Sequence, residues 1–315
     1  MKALLAIVLA GAAGVAAAQA YPSRPIRVLV PFQAGSAPDQ IIRITTQNMQ
    51  ATLGQPFVIE NKPGANGNIG VAEAARAAPD GYTLVSANNT TFAANPSLYR
   101  KLPFDPQKDF APIGRLITTG LVLSVRNDFP AHTLSEFIAL ARAQPNKLSA
   151  AQASAGMRVS IAMLRSLAGV EVLEVPYKGQ PQALSDLLGG QISFTFADYA
   201  VGIPQIKAGK MRGLGVTTPR RSAVVPDIPA IGEVIPGFDL TVWAGLAAPA
   251  GTPRELVDQL WRAAERALAS PEVRQALSTM SFSIEPMNPE TFAAYIRSET
   301  VKWAKLVKEA GIEPE

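Results

Sequence analysis

Short aliphatic and β-branched runs alternate with amphipathic stretches from Ile26 onward. Ile26 to Val30, Phe57 to Glu60 and Thr83 to Ala87 read as strands, while Asp39 to Leu53 and a stretch beginning near Asn68 read as helices. In the first helix Ile42, Thr45, Met49 and Leu53 recur at helical spacing, so one stripe packs on a sheet while Arg43 and Gln47 face water. The resulting βαβαβ order predicts a parallel sheet. A second series places strands at Leu121 to Val125, Leu148 to Ala151, Val172 to Val175, Ile192 to Phe196 and Gly213 to Val216. Its helices fall at Thr133 to Ala143, near Val159 to Ala168, and through Leu184 to Leu188. Thr133 and Glu136 have capping-box spacing. After a proline-rich connector over 226 to 236, a strand from Thr241 to Ala248 leads into three helices, announced by Thr252-Pro253, Ser270-Pro271 and Asn288-Pro289.

Two α/β units joined by more than one crossover imply a discontinuous first lobe, residues 21–120 plus 226–315, with a second lobe, residues 121–225, inserted in it. That arrangement leaves a cleft. Ligands of open α/β sheets lie beyond the carboxyl ends of the strands, so the loops after Val30, Ala87, Ala151, Val175 and Phe196 are the expected site.

The ends and composition narrow the setting. Lys2, an uninterrupted apolar stretch and Ala18-Gln19-Ala20 form a secretory leader over residues 1–20, with cleavage expected before Tyr21. The formal charge of +4 falls to +3 once Lys2 is removed, and the basic residues are scattered, which argues against nucleic-acid binding. With no cysteine, an exported chain must be held by packing alone, without disulfides or thiolate metal ligands.

His132, the single histidine, excludes a His-His zinc motif and sits before a helix cap, where an exposed structural role is expected. Ser154 lies in Gln152-Ala153-Ser154-Ala155-Gly156, which lacks the first glycine of a nucleophile elbow. Gly64, Gly67 and Gly70 match neither a dinucleotide fingerprint nor a P-loop, and are expected to serve a turn and a close helix approach. What remains is two small-residue junctions between a strand and a helix, Pro31 to Asp39 and Gln152 to Gly156. Free N–H groups and the positive end of a helix dipole suit such junctions to an anion.

At these loops the chain resembles the Bug family, the extracytoplasmic solute receptors of tripartite tricarboxylate transporters. The resemblance is carried by Tyr21-Pro22-Ser23-Arg24-Pro25-Ile26-Arg27, by Pro31-Phe32 with Gly35 and Asp39, and by Glu60-Asn61-Lys62-Pro63-Gly64-Ala65-Asn66-Gly67-Asn68-Ile69-Gly70. Ala78-Pro79-Asp80-Gly81-Tyr82, Val175-Pro176-Tyr177-Lys178-Gly179, Pro226-Asp227-Ile228-Pro229 and Ala248-Pro249-Ala250-Gly251-Thr252-Pro253 extend it along the chain. It implies an α/β fold of the two-lobed, type II periplasmic-binding-protein kind, closing on a small carboxylate without cofactor, metal or catalysis. A monomer that delivers its ligand to integral-membrane permease subunits is implied; a sensory receptor feeding a signalling partner is the alternative. Carried over by position, the first-lobe contacts fall on Phe32, Gly35, Ser36, Ala37, Asp39, Asn89 and Thr90. The second lobe offers Ser154, Ala155, Gly156, Met157, Tyr177 and Asp198. Arg158, where the chain departs from the family's second loop, either meets a second carboxylate or is an exposed residue of a helix start. Asp39 is expected to shape its loop as a helix cap, and backbone N–H groups of the Gly35 to Ala37 turn are expected to hold the anion.

Overall fold

Near-continuous burial along the central strands and one-sided burial along the helices sort the chain into two sheets covered by helices. The computed structural model describes residues 21–177, 179–309 and 311–314; the expected leader lies outside them. The first unit runs β1 (Ile26–Val30), α1 (Ala37–Leu53), β2 (Phe57–Asn61), α2 (Asn68–Ala75), β3 (Thr83–Asn88), a π-helical turn (Thr90–Ala94), α3 (Asn95–Leu98) and β4 (Phe110–Thr119). The second runs β5 (Leu121–Arg126), α4 (Leu134–Ala143), β6 (Ser149–Gln152), α5 (Ala155–Ala168), β7 (Leu173–Pro176), α6 (Gln180–Leu188), β8 (Phe194–Asp198), α7 (Tyr199–Lys207) and β9 (Met211–Val216). β10 (Val242–Pro249), α8 (Arg254–Ala269), α9 (Pro271–Thr279) and α10 (Pro289–Glu309) follow. The sheets are β2-β1-β3-β10-β4 and β7-β6-β8-β5-β9, each mixed, with β10 and β5 antiparallel to their neighbours.

Packing explains both faces of the first sheet. Val28, Val30 and Leu84 point to one side and meet Ile41, Ile42, Leu260 and Ala264 of α1 and α8, while Leu29, Val85 and Ala87 point to the other with Phe292 and Ile296 of α10. Trp243 and Trp303 are fully buried core residues. Gly70 is required by contact: a Cβ there would lie 2.9 Å from the Lys62 carbonyl oxygen and 3.1 Å from Pro31 Cα, so only glycine lets α2 approach β1 this closely.

Two polypeptide crossovers join the lobes side by side, at Thr119 to Leu121 and Leu240 to Val242. Thr119 pairs with Val242 on the first-lobe side. On the second-lobe side buried Thr217 ties both: its Oγ1 accepts from the Leu121 N–H at 2.9 Å and donates to the Leu240 carbonyl at 2.8 Å.

The structure moves several sequence-derived boundaries. The chain does not return to the first lobe at residue 226: Val216 N–H bonds to the Pro229 carbonyl, Leu240 N–H to that of Thr217, and Ile231 and Phe238 enter the second-lobe core. Helix α5 starts at Ala155 rather than near Val159, because Ser154 Oγ caps it by accepting from the Met157 N–H at 3.3 Å. β4 escaped sequence reading because Pro112, Gly114 and Arg115 interrupt its apolar pattern; α7 escaped because it contains Gly202 and Pro204. Pro253, not Thr252, occupies the N-cap of α8, and Thr252 Oγ1 instead donates to the Pro249 carbonyl at 2.8 Å.

Candidate functional site

Strand polarity determines which loops meet at the junction of the lobes. β4 runs into the crossover, and β1 and β3 run parallel to it, since β3 and β4 are both antiparallel to β10. Their C-terminal ends therefore point at the second lobe. β5 leaves the crossover with Leu121 opposite Asp198, the last residue of antiparallel β8, and β6 and β7 run parallel to β8. The loops after β1, β3, β6, β7 and β8 consequently converge on one junction, the position of ligands in open α/β sheets.

The β1–α1 loop is held from within. Asp39, 2% exposed, accepts from the Gly35 N–H at 2.9 Å, from Arg43 Nε at 3.0 Å and from Asn61 Nδ2 at 2.9 Å. Burial would raise its carboxyl, but the bonds from Arg43, Gly35 and Asn61 outweigh this and hold it below the usual carboxylate range. Asn61 Nδ2 also reaches the Phe32 carbonyl at 3.0 Å, so both ends of the loop are fastened to β2. Asp39 thus shapes the loop, though from the third position of the helix rather than as its N-cap, which is Ser36.

This corrects the donor set expected from sequence. The Gly35 N–H is given to Asp39, and the Ser36 N–H is given to the Gln33 carbonyl at 3.1 Å. Pro38 has no N–H, which leaves those of Ala37 and Asp39 at the positive end of α1 without a hydrogen-bond partner among the described residues. Gly35 has φ +79°, the left-handed conformation that favours glycine, and open space around its Cα.

Two polar atoms missed by sequence reasoning, on Asn88 and Thr91, lie at the end of β3, and a third, on the expected contact Ser36, lies in the loop after β1. Ser36 Oγ, Asn88 Nδ2 and Thr91 Oγ1 are buried without a hydrogen-bond partner among the described residues. Buried polar atoms are nearly always paired, so these three, among seven such atoms in the described residues, mark a place where an additional molecule can complete the bonding. Asn89 and Thr90 begin the π-helical turn here, a deformation common at functional sites. The sequence signal that could have found Asn88 is its position one residue before Asn89 at a strand's carboxyl end.

The second lobe contributes a contrasting wall. Ser154 Oγ accepts a hydrogen bond to cap α5, which leaves its O–H able to donate, and Gly156 lies beside the crossovers, an added Cβ there falling 3.7 Å from Leu121 Cδ1 and 3.9 Å from Leu240 Cδ2. Ala155 is half-buried next to it. Met157 is fully buried in the core, so only its backbone is available to the cleft. Arg158 is half-buried and makes no ion pair or side-chain hydrogen bond among the described residues, in a helix whose first turn carries no acid. Tyr177 commits its hydroxyl to Asp186 at 2.8 Å.

Asp198, at the end of β8, receives Gln180 Nε2, and burial pushes its carboxyl up to about 6. The folded state therefore holds this proton more tightly than the unfolded chain, so its contribution to stability is present in acid and is lost as pH rises through about 6. An anion in the cleft adds to that preference. Carboxylate affinity is expected to weaken above pH 6, by no more than about tenfold per pH unit, and Asp198→Asn should flatten the profile. Calorimetric titration between pH 5 and pH 8, about one unit below and two above the carboxyl's midpoint, reads this directly; an unchanged slope in the variant would remove Asp198 from the site.

Two α/β lobes on paired crossovers, with strand-to-helix loops converging at their junction, define a two-lobed solute-binding protein. The chain belongs to the tripartite tricarboxylate transporter receptor family, whose family model matches residues 41–312. It is 31% identical over 311 residues to the protein BugT of Bordetella pertussis, covering 97% of this chain and 95% of that one. Among solved structures it is similar to R. palustris Rpa4515 with adipate, at 30% identity and TM-score 0.81 over 94% of this chain and 100% of that one. It is also similar to MatC of Rhodopseudomonas palustris with bound malate, at 34% identity and TM-score 0.74 over 91% and 100%.

Proposed function

We propose that this chain is an exported receptor that captures a small organic carboxylate between its lobes and hands it to a tripartite tricarboxylate-type membrane permease. One observation carries the reading: donors without a partner among the described residues, the N–H groups of Ala37 and Asp39 with Asn88 Nδ2 and Ser36 Oγ, collect where the strand ends of the lobes converge. Donors at a helix N-terminus suit an anion, and a neutral set of donors lets the ligand leave again for the permease. The first-lobe wall supplies these donors; Arg158 and the Ser154 to Gly156 turn face the ligand from the second. The relatives that hold adipate and malate support an aliphatic acid as ligand. In this reading residues 1–20 are removed after Ala20, the mature protein is a periplasmic monomer, and the lobes comprise 21–120 with 241–314, and 121–240.

A ligand that binds only the folded protein raises its melting temperature. At a hundredfold excess over Kd the stabilisation is about 2.7 kcal/mol, a shift of a few degrees for a protein of this size. In ligand-stripped protein, at least one member of a panel of aliphatic and aromatic mono-, di- and tricarboxylates should produce it. A panel that leaves the melting curve unmoved refutes the reading.

A further inference from the structure

We propose that a groove beside the crossovers, away from the carboxylate cleft, is a second site that takes a small dianion and bridges the two lobes. The groove has a volume of about 950 Å³ and lies between the β4 edge of the first sheet and the segment that follows β9 in the second lobe. None of the candidate cleft residues lines it, although Tyr199, directly after Asp198, reaches it from the crossover. Its floor is formed by Thr118, Thr119 and Thr241. One wall is the second-lobe segment from Thr218 to Val224; the other is α9 with the segment from Phe282 to Met287. That second wall belongs firmly to the first lobe, since Ser283 and Thr118 exchange two main-chain hydrogen bonds of 2.8 Å.

The charges in the groove are unevenly satisfied. Asp239 and Glu299 share Lys302 at 2.8 Å and 3.2 Å, Glu285 takes Arg115 at 3.4 Å, and Arg221 takes Glu233 at 2.9 Å. Arg220 and Arg274 remain, exposed, lining the groove and without an ion pair among the described residues. They stand on opposite walls, one in each lobe. Thr119 Oγ1 on the floor is buried without a partner among the described residues. Two unpaired guanidinium forks lining one polar groove have the chemistry to receive an anion with two negative oxygens, since each fork can give parallel hydrogen bonds.

Occupancy has a mechanical consequence, which rests on the carboxylate-receptor reading. Rotation about the crossovers that narrows the cleft separates the walls of the groove on the far side. A dianion that holds Arg220 and Arg274 together therefore favours the open cleft and weakens carboxylate capture, and by linkage a captured carboxylate weakens the dianion.

Sulfate is the probe, titrated calorimetrically into ligand-stripped protein at ionic strength held constant with chloride. One sulfate per chain is expected to bind, and the double variant Arg220→Gln/Arg274→Gln should bind it about tenfold or more weakly. Both arginines are exposed, and circular dichroism checks the fold. Saturating sulfate should also lower carboxylate affinity in the parent protein and leave it unchanged in the double variant. Absence of sulfate binding, or equal binding by the double variant, overturns the site. Competition with carboxylate that persists in the double variant puts sulfate in the cleft and likewise overturns it. The sulfate titration reads the groove even if no carboxylate binds, so the two readings fail separately.

Discussion

Thr217→Val is expected to destabilise the fold by about 2–4 kcal/mol, well beyond the effect of Thr217→Ser. Valine preserves the shape of threonine and removes only the hydroxyl that links the crossovers. The Leu121 N–H and the Leu240 carbonyl then lose their bonds to Oγ1 at a position with no exposure to water. An orphaned buried group costs about 1–3 kcal/mol, and two are created together. Serine retains both hydrogen bonds and gives up one buried methyl, about 1 kcal/mol. Urea unfolding of the three proteins measures the difference. Equal midpoints for the valine and serine variants would show that the hydroxyl does not fasten the crossovers.

Gly35→Val should weaken carboxylate binding about a hundredfold while leaving the fold intact. With φ at +79°, a β-branched residue costs about 1–3 kcal/mol or forces the loop into another conformation. Either result displaces the N–H groups of Ala37 and Asp39, which follow immediately in the chain. The side chain itself meets nothing within 4 Å, so steric disruption of the core is not the cause. Arg158→Ala should cost a monocarboxylate little, and a dicarboxylate about 1.5–3 kcal/mol if the guanidinium bonds its second acid group. Calorimetry with both variants separates the contributions. Loss of monocarboxylate binding in Arg158→Ala with retention in Gly35→Val would mean that a salt bridge, rather than the α1 terminus, holds the anion.

Much of the fold was legible because burial follows sequence period. The run Ile26 to Val30 and the stripe of Ile42, Thr45 and Met49 on α1 occupy the positions that periodicity predicts. β4 was illegible because its proline and glycine are tolerated through tertiary pairing, with β10 on one side and the Ser283 to Met287 segment on the other. The connector after residue 226 reads as a linker because nothing local reveals that Ile231 and Phe238 will find the second-lobe core.

The candidate site was legible by loop, much less by atom. Strand order places Pro31 to Asp39 and Gln152 to Arg158 at the junction, but which donors stay free depends on residues far along the chain. Asn61, on β2, binds Asp39 and the Phe32 carbonyl, and so helps to fix a loop that its own sequence neighbourhood does not mention. Tyr177 is removed as a hydroxyl donor by Asp186, and Met157 turns its side chain into the core, for reasons of packing that sequence pattern alone does not contain.

The most direct test of carboxylate capture is a crystal structure of ligand-stripped protein soaked or grown with the carboxylate that gives the largest melting shift. The account predicts the ligand between the lobes, one carboxylate oxygen within hydrogen-bonding distance of the Ala37 N–H and the ligand also within reach of Asn88 Nδ2. A carboxylate seated in the groove between Arg220 and Arg274, with the junction of the strand ends empty, would contradict it.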